Sequence, residues 1–335
     1  MTILLTADEI RRATTIEGVV QALDQAHRDE FLGTTDITER INLRFPGGWM
    51  RYMAAAMPTL GVIGYKAFHL VGSALRIEIA LFDIESGAPL VRMEGNHLTF
   101  LRTASTAAMA AARMAPEASV IGIIGSGHEA RMQATVLSRL LDVQRMFVFS
   151  PRKERRELFA AELSAKLGVE IVPCEDAPRA TANAEVIVVA TNTGGAGPAF
   201  HADWIPPTAH VSSTGSTLAE ERELDTGVWQ YPELIVVDRM QALQESGDAI
   251  AAIKAGTLDP SQVITLAELW GRPADAPRPR RTLFKSVGSP LQDVAVAAYA
   301  YRAAIEQGLG TEVPDFMTVK ETIPTWTGYG EERGR

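Results

Sequence analysis

The segment Ile121-Gly-Ile-Ile-Gly125-Ser126-Gly127-His128-Glu129-Ala130 sets glycine, glycine and alanine at GxGxxA spacing, after an apolar run and before a helical pattern. The chemistry it suits is the binding of a dinucleotide pyrophosphate. Gly125 permits a tight turn, Gly127 lets the backbone approach the phosphates, and Ala130 lets helix and strand pack closely. The helix start, Ser126 through Glu129, presents oriented N–H donors. The spacing alone is a weak signal; its place between strand and helix is the context that cofactor binding requires. The next strand ends Phe147-Val-Phe-Ser150-Pro-Arg152-Lys153, where an NAD-selective enzyme usually carries a carboxylate for the ribose 2′-hydroxyl. No carboxylate is there. Ser150, Arg152 and Lys153, with Arg155 nearby, suit a 2′-phosphate, so NADP(H) is the expected cofactor; NAD(H) is the second choice, with Glu154 as its nearest carboxylate. Ala190, Thr191 and Asn192 end a further strand at the same edge and are expected against the cofactor. The cluster Thr193-Gly-Gly-Ala-Gly197 that follows reads equally well as a cofactor loop or a plain flexible one.

Other chemistries are disfavoured by composition. The single cysteine, Cys174, can form no internal disulfide, and the six histidines show no metal-binding spacing, so no metal site is expected. Lys plus Arg number 32 against 41 Asp plus Glu, a net charge of -9 without a basic run, which gives no reason to seek nucleic acid. No window reaches the roughly 20 apolar residues of a membrane span, and Asp8 and Glu9 interrupt any leader-like start; the expected location is the cytoplasm. At 335 residues, 46% hydrophobic and 22% charged, the chain has ordinary globular composition and the length of one large or two modest domains.

The elements that must position these residues follow from hydrophobic period. Residues 1–35 read as a helix, with Thr6 and Glu9 in a capping box. Residues 40–45, 50–54, 64–70 and 78–83 read as short strands between turns, which suggests an antiparallel sheet. Residues 98–113 are dense in alanine and should form a closely packed buried helix. From residue 119 apolar strands (119–124, 146–150, 169–172, 185–190) alternate with helices, the mark of a parallel sheet covered on both faces. Strands at 209–213, 234–238 and 282–287 would bring it to six or seven. A second alanine-rich helix spans 289–307, and the tail beyond Gly308 looks irregular. The expected class is α/β, a Rossmann-type doubly wound parallel sheet plus a smaller α+β domain.

Across most of its length the chain resembles the ornithine cyclodeaminase/mu-crystallin family. The resemblance lies in Arg40 upstream of Met53-Ala-Ala-Ala-Met-Pro58, in Leu60-Gly-Val-Ile-Gly-Tyr-Lys66 and Leu81-Phe-Asp-Ile-Glu-Ser-Gly87, and in Leu98-Thr-Phe-Leu-Arg102-Thr103-Ala. Beyond the glycine turn it continues through Ala184-Glu-Val-Ile-Val-Val-Ala-Thr191, Arg222-Glu-Leu-Asp225, and Phe284-Lys-Ser-Val-Gly288 followed by Gln292-Asp293. It implies an NAD(P)-dependent enzyme acting on the C–N bond next to a carboxylate. It also implies a homodimer, with residues 1–116 and 305–335 as the substrate and dimerisation domain and residues 117–304 as the cofactor domain. By the same resemblance Arg40, Lys66 and Arg102 bind the substrate carboxylate, and Val287 and Gly288 line its pocket. Two guanidinium forks beside an ammonium suit an anion. Like charges should also lower the pKa of Lys66, which suits a proton donor to the reacting nitrogen. Lys66 and Arg102 both fall in apolar segments, where an unpaired charge is expensive; Thr103 adds a hydroxyl donor, and Asp293 reads as a helix-start or buried pairing residue. Arg44 and Arg51 compete with Arg40, because the family's Met-Pro pair matches Met53-Ala54 or Met57-Pro58, and only the first register keeps the usual distance to the lysine.

One departure bears on the reaction. Cyclodeaminases and archaeal alanine dehydrogenases, by the same resemblance, carry an aspartate in a Gly-Gly-Asp or Gly-Ala-Asp segment where this chain reads Ser213-Thr-Gly-Ser-Thr217. Threonine has no useful acid–base pKa near neutrality, so Thr217 orients rather than abstracts. Reduction of a preformed imine needs only a hydride and a proton on nitrogen. The expected activity is therefore reduction of a cyclic ketimine or imino acid to an L-amino acid. Ornithine cyclodeamination to proline and an alanine-type dehydrogenase are the enzymatic alternatives, and a cofactor- or small-ligand-binding protein is the non-catalytic one.

Overall fold

In a computed structural model the chain is described at residues 1–273, 276–315, 317 and 319. Its first sheet takes β1 (Thr2–Leu5), β2 (Asp36–Ile37), β3 (Ile41–Phe45), β4 (Gly48–Met57), β5 (Val62–Val71), β6 (Ala74–Asp83) and β7 (Pro89–Glu94). The second takes β8 (Val120–Ile124), β9 (Arg145–Phe149), β10 (Glu170–Pro173), β11 (Val186–Val189), β12 (His210–Ser213), β13 (Leu234–Val237), β14 (Val263–Thr265) and β15 (Thr282–Lys285). A last strand, β16 (Thr311–Val313), returns antiparallel to β1, so the tail read as irregular begins with a strand. The rest of the expected 305–335 segment beyond residue 319 lies outside the described residues. The fold is α/β, and among the described residues no helix is long and apolar enough to cross a membrane.

The second sheet is parallel throughout, in the order β10-β9-β8-β11-β12-β15-β13-β14. Interior strands such as Val186–Val189 are apolar runs, buried at every position because helices cover both faces. The order reverses between β8 and β11, so loops leaving these two neighbours diverge and open a crevice at the carboxyl edge. The first sheet runs β16-β1-β7-β6-β5-β4-β2, with β3 also on β4. Its central hairpins fix two cross-strand rows on one face, Arg51, Phe68 and Ile77 in one and Met53, Lys66 and Ile79 in the other.

Two alanine-rich helices join the sheets. Asn96–Met114 sends Leu98, Leu101, Ala107 and Ala110 into the first core and Ala104, Ala108 and Ala111 into the second, against Ala130 and Ala134 of the helix His128–Leu140. Small side chains allow this close approach on both sides. The helix Pro290–Glu306 packs over β4, β5 and β6, so the covered face of the first sheet is closed by residues that follow β15. At the N-terminus the Thr6–Glu9 capping box is present, but β1 precedes it and the expected single helix is two, Ala7–Ala13 and Ile16–Phe31. The break is at Thr14-Thr15, where the Thr15 side chain caps the second helix by accepting from the Gly18 amide.

Candidate active site

The glycine turn leaves β8 at the switch point. Gly125 has φ +121, and a Cβ there would meet the Ala190 carbonyl oxygen at 2.2 Å, so only glycine fits between the two strand ends. At Gly127 a Cβ would meet nothing within 4 Å, which leaves the helix start of His128–Leu140 open to a ligand. The turn borders a groove of about 690 Å³ lined by Gly125 to Glu129, Ser150, Arg152, Arg155 and Ala190 to Thr193. Ala196 and Gly197 of the glycine cluster also line it. This concave groove at a helix N-terminus fits a dinucleotide. Ala130 is fully buried and serves packing, as its place in the motif requires. Lys153 does not line the groove; its ammonium lies 3.8 Å from Glu157 one turn along an exposed helix face. Arg152 and Arg155 supply the positive charge instead, and Ser126 donates to the Ser150 hydroxyl at 2.9 Å.

Next to the groove lies a second cavity of about 420 Å³, between the covered face of the first sheet and the carboxyl edge of the second. Arg40, Lys66, Arg102, Thr103, Thr217, Val287 and Gly288 all line it. Phe100, Glu129, Asn192, Thr214 and Gly215 line both spaces and mark where they meet. The structure thus brings together every residue expected at the substrate. Of the three competing arginines, Arg40 and Arg51 both line the cavity, whereas Arg44 is exposed and 3.5 Å from Glu220.

The cations are held by a few buried acceptors. Lys66, 1% exposed, donates to Asp293 Oδ1 at 3.0 Å, and Arg102 Nε donates to the same oxygen at 2.8 Å. Arg102 Nη1 donates to Gln292 Oε1 at 3.1 Å. Burial pushes the Lys66 ammonium down to about 7, with Asp293 opposing and Arg102 and Arg40 adding to the fall. The direction matches expectation, but burial rather than like charge is the largest cause. Burial alone would raise the Asp293 carboxyl, yet Arg102 and Lys66 hold it below the usual carboxylate range. Because Arg102 keeps Asp293 compensated, Lys66 can release its proton without leaving an uncompensated buried charge.

Arg40 is tied to the loop after β15. Its Nη2 donates to the Val287 carbonyl and, at 2.9 Å, to that of Gly288, while Nη1 lies 3.3 Å from Glu245. Burial lowers the Arg40 guanidinium to about 10, which leaves it charged at neutral pH. Arg51 donates to Asn42 at 2.8 Å and lies over the rings of Trp49 and Phe68. Thr103 donates its hydroxyl proton to the Thr99 carbonyl at 2.7 Å, so it offers the cavity an acceptor rather than the expected extra donor.

One residue that shapes the site, Asp238, was not found by sequence reasoning. Asp238 accepts from the Val287 and Gly288 amides at 2.6 and 2.8 Å and from Gln292 Nε2 at 2.9 Å, fixing the loop that Arg40 grips. Gly288 has φ +84, and a Cβ there would stand 2.7 Å from Arg102 Nη1. We expect Gly288→Ala to cost about 1–3 kcal/mol in backbone strain and, by displacing the guanidinium, to lower kcat/KM on the order of 100-fold. Thermal unfolding and steady-state kinetics on the same preparation check both; an alanine variant with unchanged kcat/KM would show that the guanidinium need not sit there.

A parallel-sheet dinucleotide groove that opens onto a cavity lined by cations defines a nucleotide-dependent enzyme of small anionic substrates. The family model described as ornithine cyclodeaminase/mu-crystallin family matches residues 1–308, and the chain belongs to that family. It is 27% identical over 333 residues to an alanine dehydrogenase of Archaeoglobus fulgidus, covering 94% of this chain and 99% of that one. It is also 27% identical to a Delta(1)-pyrroline-2-carboxylate reductase of Bacillus cereus, covering 93% and 99%. Among solved structures, the Thermococcus litoralis Delta(1)-pyrroline-2-carboxylate reductase in complex with NADH and L-proline superposes with a TM-score of 0.86 at 28% identity, covering 93% of this chain and 100% of that one.

Proposed function

We propose that this chain is an NADP(H)-dependent reductase of the C=N bond alpha to a carboxylate, taking a cyclic ketimine acid such as pyrroline-2-carboxylate to the L-amino acid. The observation that carries the reading is the cavity itself: Arg40, Lys66 and Arg102 converge on it, and it meets the dinucleotide groove at Phe100, Glu129 and Asn192. A bound dihydronicotinamide supplies the hydride. Arg40, Lys66 and Arg102 grip the substrate carboxylate and so present C2 to the junction at a fixed angle and distance. Phe68, Phe100 and Met53 line the cavity as well and keep water from the reacting carbon. Thr217 reaches it as a hydroxyl that orients, which suits reduction of a preformed imine.

Arg152 and Arg155 at the groove, with no carboxylate at the end of β9, support NADPH over NADH. We assign residues 1–116 with the helix Pro290–Glu306, which packs on the first sheet, to the substrate and dimerisation unit, and residues 117–289 to the cofactor unit, in place of the expected boundary at 304. A homodimer is supported by the outer face of the first sheet, where Ile41, Tyr52, Ile63, Tyr65 and Phe82 share one surface and Ile41 is 50% exposed. An archaeal alanine dehydrogenase 25% identical to this chain has been solved as a dimer.

The test is NADPH and NADH oxidation at 340 nm with pyrroline-2-carboxylate, piperideine-2-carboxylate, and pyruvate with ammonia or methylamine, beside an L-ornithine-to-proline assay. Turnover of a cyclic ketimine with NADPH preferred is the expected result. Proline from ornithine at constant absorbance would overturn it in favour of cyclodeamination. Arg152→Ser should raise the KM for NADPH roughly tenfold or more, the worth of one charge-assisted bond, and leave that for NADH nearly unchanged.

A further inference from the structure

Glu129 stands apart from the rest of the cofactor turn. It follows Gly127 by two positions, yet its side chain lines the cation cavity as well as the groove, and among the described residues lining that cavity it is the sole carboxyl. Its Oε2 is buried and has no hydrogen-bond partner among the described residues. A buried carboxyl oxygen in a native site is expected to have a partner, and a ligand between cavity and groove is the group that could provide one. The remaining ionisable residues of the cavity, Arg40, Arg51, Lys66 and Arg102, are cations. Lys66 and Arg102 are already joined to Asp293 at the end of the cavity that suits a carboxylate.

We propose that Glu129 is the acid–base residue of this site, giving the reacting nitrogen its proton during reduction and taking it back when an amine is oxidised. The inference rests on the imine-reductase reading. In the reduction, the imine carbon gains the hydride and the C=N π pair moves to nitrogen. That nitrogen takes the carboxyl proton of Glu129, and the carboxylate left behind regains a proton from water. Geometry places the acid where it is needed. The carboxylate clamp fixes one end of the substrate, the hydride must arrive from the groove, and the nitrogen attached to the reacting carbon lies at the junction that Glu129 lines. Thr217, on the same cavity, cannot serve.

The electrostatics agree. Burial pushes the Glu129 carboxyl up to about 7, while Arg102 from the helix Asn96–Met114 and Lys66 from β5 pull against the rise. Arg40 and Arg51 line the same cavity, and Arg152 and Arg155 line the groove. On its own helix His128 is stacked on Phe100 with ring centroids 5.4 Å apart. A carboxyl raised in this way is protonated below about pH 7 and ionised above it. Reduction therefore weakens as pH rises through 7, and amine oxidation strengthens.

The experiment compares wild type, Glu129→Gln and Glu129→Asp in the full chain. It follows NADPH-dependent reduction of pyrroline-2-carboxylate from about pH 6 to about pH 9, with NADPH affinity measured by fluorescence titration. The expected result for Glu129→Gln is a kcat lowered on the order of 100-fold or more, NADPH affinity near wild type, and a shallower fall in kcat above pH 7, the remainder belonging to Lys66. Glu129→Asp should recover part of kcat and keep the alkaline fall. A Gln variant that retains most of its kcat and the same alkaline limb would overturn the proposal and leave Lys66 as the donor. A wild type that binds NADPH but reduces no imino acid would instead remove the functional reading, and this inference with it.

Discussion

Arg102→Ala is expected to lower kcat/KM for a 2-imino acid by about 2–4 kcal/mol, or between roughly 30-fold and 1,000-fold. Two losses add. The guanidinium contributes one arm of the carboxylate clamp, and that arm is preorganised: Asp293 holds Nε and Gln292 holds Nη1, and both acceptors belong to the first turn of the helix Pro290–Glu306. The second loss falls on Asp293. Its carboxyl is fully buried and shared between Arg102 and Lys66, so truncating Arg102 leaves Lys66 alone to compensate it. Lys66 then loses a neighbouring cation while keeping its anion, and that loss raises its pKa. The clamp in the variant consists of Arg40 and a lysine fixed in its charged form. Arg102→Lys should restore charge without the fork and recover only part of the rate. Steady-state kinetics with NADPH affinity as the folding control decide the matter; an unchanged kcat/KM would remove Arg102 from the site.

What sequence could reveal of this site depended on how local each contact is. The glycine turn was legible because strand, turn and helix start lie within ten residues, and each small residue answers a steric demand inside that stretch. Lys66 and Arg102 were legible for another reason: a charge in an apolar strand or an alanine-rich helix needs a partner. That Asp293 is the partner of both was much harder to see. Asp293 lies 227 positions from Lys66 and 191 from Arg102, and only the packing of Pro290–Glu306 on the first sheet brings it there. Glu129 was read with the cofactor turn because its spacing belongs to that motif. Its second face depends on the distance between the two sheets, which no local pattern encodes. The strands that were missed have similar explanations. β7 begins with proline and carries charge at Arg92 and Glu94, and β16 is a three-residue edge pairing that depends on β1 being in place. Arg51 was noticed only as a rival to Arg40; the alternation of β4 turns it to the covered face beside Met53.

Lys285 carries the largest expected effect on stability, and it lies outside the cavity altogether. It is fully buried at the end of β15, with its ammonium 2.9 Å from Asp248, 2.9 Å from the Ser213 hydroxyl that accepts from it, and 3.5 Å from Glu223. Glu223 accepts from the Thr191 amide and hydroxyl at 2.9 Å each, from Ser213 at 2.6 Å and from the Gly215 amide at 2.7 Å. Asp248 accepts from the Glu223 and Leu224 amides, both at 2.9 Å. One cation and two carboxylates therefore pin the loops after β11 and β12, whose residues Thr191 and Gly215 line the cofactor groove. This gives a physical account of the Arg222-Glu-Leu-Asp225 and Phe284-Lys-Ser-Val-Gly288 stretches, which sequence could match but not explain. Lys285→Met keeps length and leaves both carboxylates without their cation, so it should cost about 3–5 kcal/mol. For a chain of 335 residues that corresponds to a fall in Tm of about 4–7 °C. NADPH affinity should fall too, because the groove loses the anchor of two of its walls. Adding Asp248→Asn removes one of the uncompensated charges and should return part of the lost stability, which a merely steric defect at position 285 would not allow. Thermal and urea unfolding of the two variants measure the difference; a Lys285→Met protein that melts with wild type would mean that the network holds the groove in place at no net gain in stability.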